Sequence, residues 1–210
     1  MRNRLAIRFT VEGDLRFISH HDALRLFKRA LVRAEIPLRF SQGFNPQPKL
    51  RIALPRPVGV ASLDELLLVE LASQHTPSDL LERLAAQLPS GMTIKSAEPV
   101  VDSDRCLPSE ARYSVEIASD LCGALSNRIA EFLATDSLVV ERSAPKLRRT
   151  KSIDVRQYVG TARLTGNCLT WLQTITPEGT ARAAEVLEAL GLTGSEYLHR
   201  LVRTSVSYQP

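Results

Sequence analysis

The chain has 210 residues, of which 44% are hydrophobic and 24% are charged, a composition typical of globular proteins that excludes general disorder. This length allows one large domain or two of about 100 residues each. No apolar run approaches the ~20 residues that a membrane-spanning helix needs, and the first 14 residues lack the apolar stretch of a signal peptide. We therefore expect a cytoplasmic protein that has no membrane partner.

In chain order, the first half is predicted to contain a strand, a helix, two main strands, a helix and a strand. Alternating apolar residues predict a strand over 4–11, and 15–18 is expected to extend the sheet. Ser19 followed by Asp22 is typical of a helix N-cap, and the helix is predicted to run to Ala34. The later elements of this half are a short strand at 38–41, strands at 50–54, 65–71 and 92–101, and a helix over 76–87.

The second half is predicted to repeat this order after a polar linker at 102–110. Its expected elements are a strand at 112–117, a helix at 121–134, a strand at 138–143, one or two strands over 152–159 and 162–175, a helix at 180–190, and a final strand or helix-plus-strand at 198–208. This order predicts an α+β fold of two tandem ferredoxin-like halves with antiparallel sheets, residues 1–101 and 111–210.

Charge is distributed unevenly although the net charge is only +4. Residues 1–56 carry twelve Lys or Arg against four Asp or Glu, and residues 142–163 carry seven against one. The intervening residues 57–141 carry five against fourteen. Two basic blocks separated by an acidic block indicate a polarised surface if they meet in the fold, and two separately solvated faces if they do not.

The first predicted helix carries a row of cations. Arg25, Arg29 and Arg33 are four residues apart, so they lie on one face, and Lys28 adjoins them. Such a row is either a solvated surface or a binding site for an anionic partner. The row is one candidate phosphate-binding surface.

The loop that follows, 41–51, reads SQGFNPQPKLR, and its two prolines stiffen it. Phe44 either stacks on a nucleic-acid base or packs into the core as an anchor. Lys49 and Arg51 are suited to phosphate, and Gln42 and Asn45 to base edges or 2′-hydroxyl groups.

A second basic segment precedes a predicted strand in the second half. Its cations are Lys146, Arg148, Arg149 and Lys151, and Asp154 is the only acid nearby. Such a run is typical either of a nucleic-acid patch or of a solvated loop. If the two halves form a groove, this segment is expected to join the first basic block in one positive surface.

Few residues have a pattern typical of catalysis. His20 and His21 beside Asp22 are the one cluster of imidazoles with a carboxylate, and either histidine is a candidate general base for metal-independent RNA cleavage. The alternative is a structural role, because the positive end of a helix dipole disfavours a protonated imidazole. The acidic residues at 64, 65 and 70 are expected at strand edges and turns.

The cysteine pattern predicts no metal and no other cofactor. Cys106, Cys122 and Cys168 are widely spaced and form no C-x-x-C pair. Structural zinc sites and protein-borne iron–sulfur clusters depend on such pairs. We expect reduced, partly buried thiols.

Four segments carry a resemblance to a known family: GDLRFISHHDALRLFKRAL (13–31), SQGFNPQPKLRIALPRPVGV (41–60), KSIDVRQYV (151–159) and RTSVSY (203–208). Together they resemble an uncharacterised bacterial family encoded beside radical-SAM proteins or fused to their ends. Family members more often have His at the position of Gln47, so a catalytic role for that His would not extend to this chain. The chain also lacks the three-cysteine cluster loop of the radical enzyme itself.

The resemblance implies a non-catalytic accessory protein that presents a substrate to a separately encoded radical-SAM enzyme. RNA is the expected substrate, because radical-SAM partners often modify RNA bases and the basic segments suit that use. The expected phosphate contacts are Arg25, Arg29, Arg33, Lys49, Lys146, Arg148, Arg149 and Lys151. The alternatives are a protein-docking module for the enzyme and an endoribonuclease that uses His20 or His21.

Overall fold

The computed structural model of the protein describes residues 3–73, 77–100, 106–144 and 149–209. The chain divides into two compact units, of which unit 1 comprises Met1–Pro108 with Tyr208–Pro210 and unit 2 comprises Ser109–Ser207. Both units mix helices with antiparallel strand pairs, which confirms the predicted α+β class. Among the helices in the described ranges, none is long and apolar enough to cross a membrane.

Unit 1 is built on a sheet whose order is β4-β1-β3, with β2 paired to β3. Its elements are β1 (Asn3–Val11), α1 (His20–Arg33), β2 (Leu50–Ile52), β3 (Ala61–Leu71), α2 (Pro77–Ala85) and β4 (Met92–Val100). β1 and β2 both pair with residues 67–69 of β3, so they lie on opposite edges of that strand. Every one of these pairings is antiparallel.

The alternation of side chains along β1 separates two faces of this sheet. Leu5, Ile7 and Phe9 are buried in a core that includes residues of both α1 and α2. The residues between them therefore point to the opposite face, where Ala6 packs against a smaller cluster around Leu66, Leu68 and Cys106. Arg4 and Arg8 occupy the same face as Ala6 by this alternation.

The start of α1 agrees with the predicted N-cap. The Ser19 hydroxyl accepts a hydrogen bond from the Asp22 backbone N–H at 3.1 Å and donates to the Asp22 carboxylate at 2.7 Å. The helix ends at Arg33, and Glu35 follows in the left-handed region with φ of 52°. The buried face of α1 carries Phe27, which meets Phe9 edge-on at a centroid distance of 4.7 Å.

Residues 15–18 do not extend the sheet as predicted, because Gly13–Phe17 form a 3-10 turn. The Arg56 guanidinium explains this geometry. It donates to the carbonyls of Arg16 at 2.7 Å and Leu15 at 3.2 Å, so these groups face Arg56 instead of a neighbouring strand. The expected strand at 38–41 is likewise reduced to isolated bridges at Leu38 and Phe40.

Unit 2 is built on a sheet of order β10-β5-β9-β8, with β6 and β7 in a separate hairpin. Its elements are β5 (Pro108–Glu116), α3 (Cys122–Ala134), β6 (Val139–Ala144), β7 (Arg149–Asp154), β8 (Val159–Thr165), β9 (Cys168–Thr174), α4 (Ala183–Ala189), α5 (Ser195–Arg200) and β10 (Val202–Tyr208). Tyr113 and Trp171 stack in its interior at a centroid distance of 5.1 Å.

The second half differs from the prediction in the end of the linker and in the number of strands. The expected linker 102–110 ends inside β5, which begins at Pro108, while residues 101–105 lie outside the described ranges. Residues 149–174 form three strands instead of one or two. Asp154 ends β7, because its carboxylate accepts hydrogen bonds from the Leu138 N–H at 2.9 Å and the Arg156 N–H at 3.1 Å.

Phe27 is a test of the unit 1 core because it is completely buried and contacts Phe9. We expect Phe27→Ala to lower the free energy of unfolding by about 3–5 kcal/mol, through lost burial and the cavity left behind. Urea unfolding measures this change. Phe44→Ala is the control, because Phe44 is fully exposed and its loss should change stability by less than about 0.5 kcal/mol.

Candidate nucleic-acid interface

The exposed side of α1 carries the predicted cation row. Arg25, Arg29 and Arg33 all lie on the surface, on the side away from buried Phe27. The Arg25 guanidinium is 3.0 Å from the carboxylate of Asp22, so part of its charge is offset within the helix. Neither Arg29 nor Arg33 forms a hydrogen bond or ion pair with any described residue, which leaves both guanidinium groups available to an anion.

The loop after α1 is attached to this surface through Gln47. The Lys28 ammonium donates to the Gln47 side-chain oxygen at 3.1 Å. Gln47 also donates its backbone N–H to the Ser41 hydroxyl at 3.0 Å and accepts the Ser41 N–H at 2.9 Å. Its amide nitrogen donates to the Asn45 side-chain oxygen at 3.3 Å. Gln47 thus closes the loop and holds it against the helix.

Phe44 is fully exposed at the tip of this loop, so the alternative of a core anchor is wrong. The preceding Gly43 has φ of 133°, a conformation that other residues rarely adopt. Gln42 is exposed beside them. Exposed aromatic rings on loops beside basic segments are a common means of stacking nucleic-acid bases.

Lys49 lies apart from the helix row, at the opposite face of the sheet. Its ammonium is 3.8 Å from the Glu70 carboxylate, and the same carboxylate is 3.4 Å from Arg4 and 3.8 Å from Arg39. Arg4, Lys49, Glu70 and Arg51 line a cavity of about 260 Å³. Sequence reasoning missed Arg4 and Glu70, although the alternation of β1 placed Arg4 opposite the core.

The three acidic residues expected at strand edges and turns lie within β3 instead. Asp64 pairs with Arg8 at 2.6 Å, and Glu70 lies among the three cations described above. Glu65 is almost completely buried. The pairing of β3 with β1 brings Arg8 to Asp64 and Arg4 to Glu70, which no local sequence pattern indicates.

His20 lies at the start of α1, with its ring edge-on to that of His21 at 5.8 Å. Partial burial, followed by the charge of His21, lowers the pKa of His20, while Glu65 opposes this effect. Phe9, Arg56 and Glu65 line the same small cavity, whose volume is about 10 Å³. This space scarcely admits one water molecule and is too small for a nucleotide.

The second basic segment is described only in part. Lys146 and Arg148 lie outside the described residues, whereas Arg149 and Lys151 lie in β7 opposite Ala144 and Arg142. The Arg142 guanidinium binds both oxygens of the Glu185 carboxylate at 2.7 Å, an interaction that raises the pKa of Arg142. The two basic segments belong to different units, so a shared surface stays a prediction.

All three cysteines are free thiols, with Cys106 buried and Cys122 and Cys168 partly buried. The Cys168 sulfur is 3.1 Å from the Ser114 hydroxyl. In the described part of the chain, no three His, Cys, Asp or Glu side chains are grouped to hold a metal ion.

The lowered pKa of His20 predicts a pH-dependent term in stability. Below its ordinary value of 6.5, the unfolded chain binds the His20 proton more readily than the folded chain, so folding loses stability as pH falls. Relative to His20→Gln, the wild type should lose additional stability from pH 7 to pH 5. Urea unfolding of both proteins at each pH measures this difference, and parallel pH curves would contradict it.

Among curated proteins, none matches this chain. A crystal structure of an unknown protein from Galdieria sulphuraria aligns over 94% of both chains at 14% identity, with a TM-score of 0.29. A family model described as "Uncharacterized protein conserved in bacteria (DUF2344)" matches residues 4–188. The chain therefore belongs to the uncharacterised bacterial family DUF2344.

Proposed function

We propose that the protein binds RNA through the outer face of α1 and the adjoining loop, as a non-catalytic accessory protein. The observation that carries this proposal is the fully exposed Phe44 on a loop that Gln47 attaches to the basic helix. RNA-binding proteins combine cations that contact phosphates with aromatic rings that stack on unpaired bases. The surface offers both within one helix and its following loop.

The cations of this surface differ in how available they are to bind a phosphate group. Arg29 and Arg33 are exposed and unpaired among the described residues, so phosphate binding costs them no existing contact. Arg25 would compete with Asp22, and Lys28 already donates to Gln47. Arg29 and Arg33 are therefore the principal phosphate-binding residues in the proposal, with Gln42 and Phe44 as base contacts.

The proposed partner is a radical-SAM enzyme encoded separately, to which the protein presents its RNA in the cytoplasm. This element rests on the family resemblance of the sequence. Docking on that enzyme without RNA is the second candidate, and exposed apolar side chains at Val32 and Phe40 near the basic surface favour it. Co-purification with the enzyme after RNase treatment distinguishes docking from an RNA-dependent association.

Cleavage of RNA by His20 or His21 is supported less well. A lowered pKa favours the neutral form of His20, as a general base requires, but the cavity that His20 lines is too small for a nucleotide. His21 is exposed. Loss of RNA cleavage in a variant with both histidines replaced by alanine would assign this activity to them.

A tandem ferredoxin-like architecture is part of the proposal. In unit 1 the third strand lies between the first and the second, and the fourth lies beside the first. Unit 2 has the equivalent order if β6 and β7 are an insertion between α3 and β8. Both orders support two β-α-β-β-α-β halves.

RNA binding should be strongly salt-dependent, because cations that bind phosphates release counterions. We expect Arg29→Glu to weaken binding of a single-stranded RNA and to reduce the slope of log K against log salt by about one. Phe44→Ala should weaken binding about tenfold or more through lost stacking, with little change in slope. Fluorescence anisotropy at about 50–200 mM salt measures both effects.

Arg163→Glu is the matched control, because Arg163 is exposed in unit 2 on β8. It changes the net charge as Arg29→Glu does, so equal losses in the two variants would show that only overall charge matters and would contradict the proposed surface. No RNA retained at low salt would reject RNA binding, and docking on the enzyme would become the leading proposal.

A further inference from the structure

The cavity at Glu70 opens on the sheet face opposite α1, and the proposed RNA-binding surface does not use it. Cross-strand pairing brings its charged residues together, since Arg4 of β1 lies opposite Glu70 of β3. On the other edge of β3, the Glu70 N–H donates to the Lys49 carbonyl at 2.9 Å. Lys49, Glu70 and Arg4 thus form a row across three chain segments, and Arg51 completes the charged lining.

Glu70 is surrounded by cations without being tightly bound by any of them. Its distances of 3.4 Å to Arg4, 3.8 Å to Arg39 and 3.8 Å to Lys49 all exceed the ~2.7–2.9 Å of a charge-assisted hydrogen bond. Its Oε2 atom is buried and accepts no hydrogen bond from any described residue. Three cations around one carboxylate also leave an excess of positive charge.

These two properties determine the chemistry of a ligand. The excess positive charge favours an anion, and phosphate suits Arg and Lys side chains together. An ionised carboxylate only accepts hydrogen bonds, so the Glu70 carboxylate favours a donor and would repel a bare phosphate placed against it. A ligand that satisfies both properties has a phosphate group and a hydroxyl group close together.

We propose that this cavity binds a ribose phosphate, with the phosphate at Arg4, Lys49 and Arg51 and a ribose hydroxyl on the Glu70 carboxylate. The volume of about 260 Å³ is many times the ~10–15 Å³ that one water molecule needs, which leaves room for a sugar and its phosphate. Carboxylates bind ribose hydroxyls in the same manner in dinucleotide-binding proteins. Recognition of the hydroxyl distinguishes a ribonucleotide from its deoxy form.

This inference deepens the proposed function and rests on it for the source of the ligand, a terminal nucleotide of the bound RNA. Lys49 is two residues after Gln47, which contacts the basic helix through Lys28. One short segment therefore contributes to both sites. A free ribonucleotide would supply the same chemical groups.

The test compares AMP with 2′,3′-dideoxy-AMP by isothermal titration calorimetry. We expect the wild type to bind AMP at least about tenfold more tightly, since a hydrogen bond to a charged acceptor is lost with the hydroxyls. Glu70→Gln should reduce this discrimination and should strengthen binding of inorganic phosphate by removing a negative charge. Lys49→Met should weaken the binding of AMP and of 2′,3′-dideoxy-AMP by the same factor.

Glu98→Gln is the matched control, because Glu98 is exposed on β4 of the same unit and does not line this cavity. It should retain the preference for AMP. Equal binding of the two nucleotides by the wild type would overturn ribose recognition, and no binding of AMP would overturn the site. Neither result affects RNA binding that depends on Arg29, so failure of this inference is distinct from failure of the proposed function.

Two further RNA ligands identify the source. An RNA with an ordinary 3′ end is compared with the same RNA ending in a 2′,3′-dideoxynucleotide. Tighter binding of the ordinary end, abolished by excess AMP, supports the RNA terminus as the source. Equal RNA affinities together with discrimination between free AMP and its dideoxy form overturn the terminal-nucleotide assignment and support a free ribonucleotide.

Discussion

The alternation of β1 is the constraint on which unit 1 depends. Its odd-numbered residues from Leu5 to Val11 supply the core beneath the helices, and its even-numbered residues include Arg4 and Arg8 on the other face. A shift of pairing by one residue would exchange these faces and bury two guanidinium groups without their carboxylate partners. The same register that holds the core therefore also places Arg4 beside Glu70 and Arg8 beside Asp64.

The cations of the protein consequently fall into two physical classes. Arg8 and Arg142 are held close to carboxylates, and Arg56 donates to backbone carbonyls of a neighbouring turn. These groups stabilise local structure. Arg29 and Arg33 are exposed and form no hydrogen bond or ion pair with a described residue, so their charge remains available to partners. Net charge along the sequence counts both classes equally, which is why the basic blocks overestimate the surface available for phosphate.

Much of the fold follows from local patterns in the sequence, but the charged cavity does not. Ser19 and Asp22 mark the start of α1, and period-2 alternation identifies β1, because each signal lies within a few neighbouring residues. Glu70 is 66 residues from Arg4, and only the pairing of β1 with β3 brings them together. The turn at 13–17 does not follow from the local pattern for a similar reason, because Arg56, which donates to its carbonyl groups, is about 40 residues away. The exposed position of Phe44 depends on how Gln47 closes its loop, which composition alone leaves open between surface and core.

The hydrogen bond from Lys28 to Gln47 affects how the attachment of the loop responds to pH. A carboxamide has no ionisable group near neutral pH, so its oxygen accepts from the Lys28 ammonium equally well at pH 5 and pH 8. A histidine side chain at this position would lose its acceptor nitrogen on protonation and would then repel the ammonium. The glutamine of this chain thus makes this hydrogen bond between α1 and the Phe44 loop independent of acidity over that range.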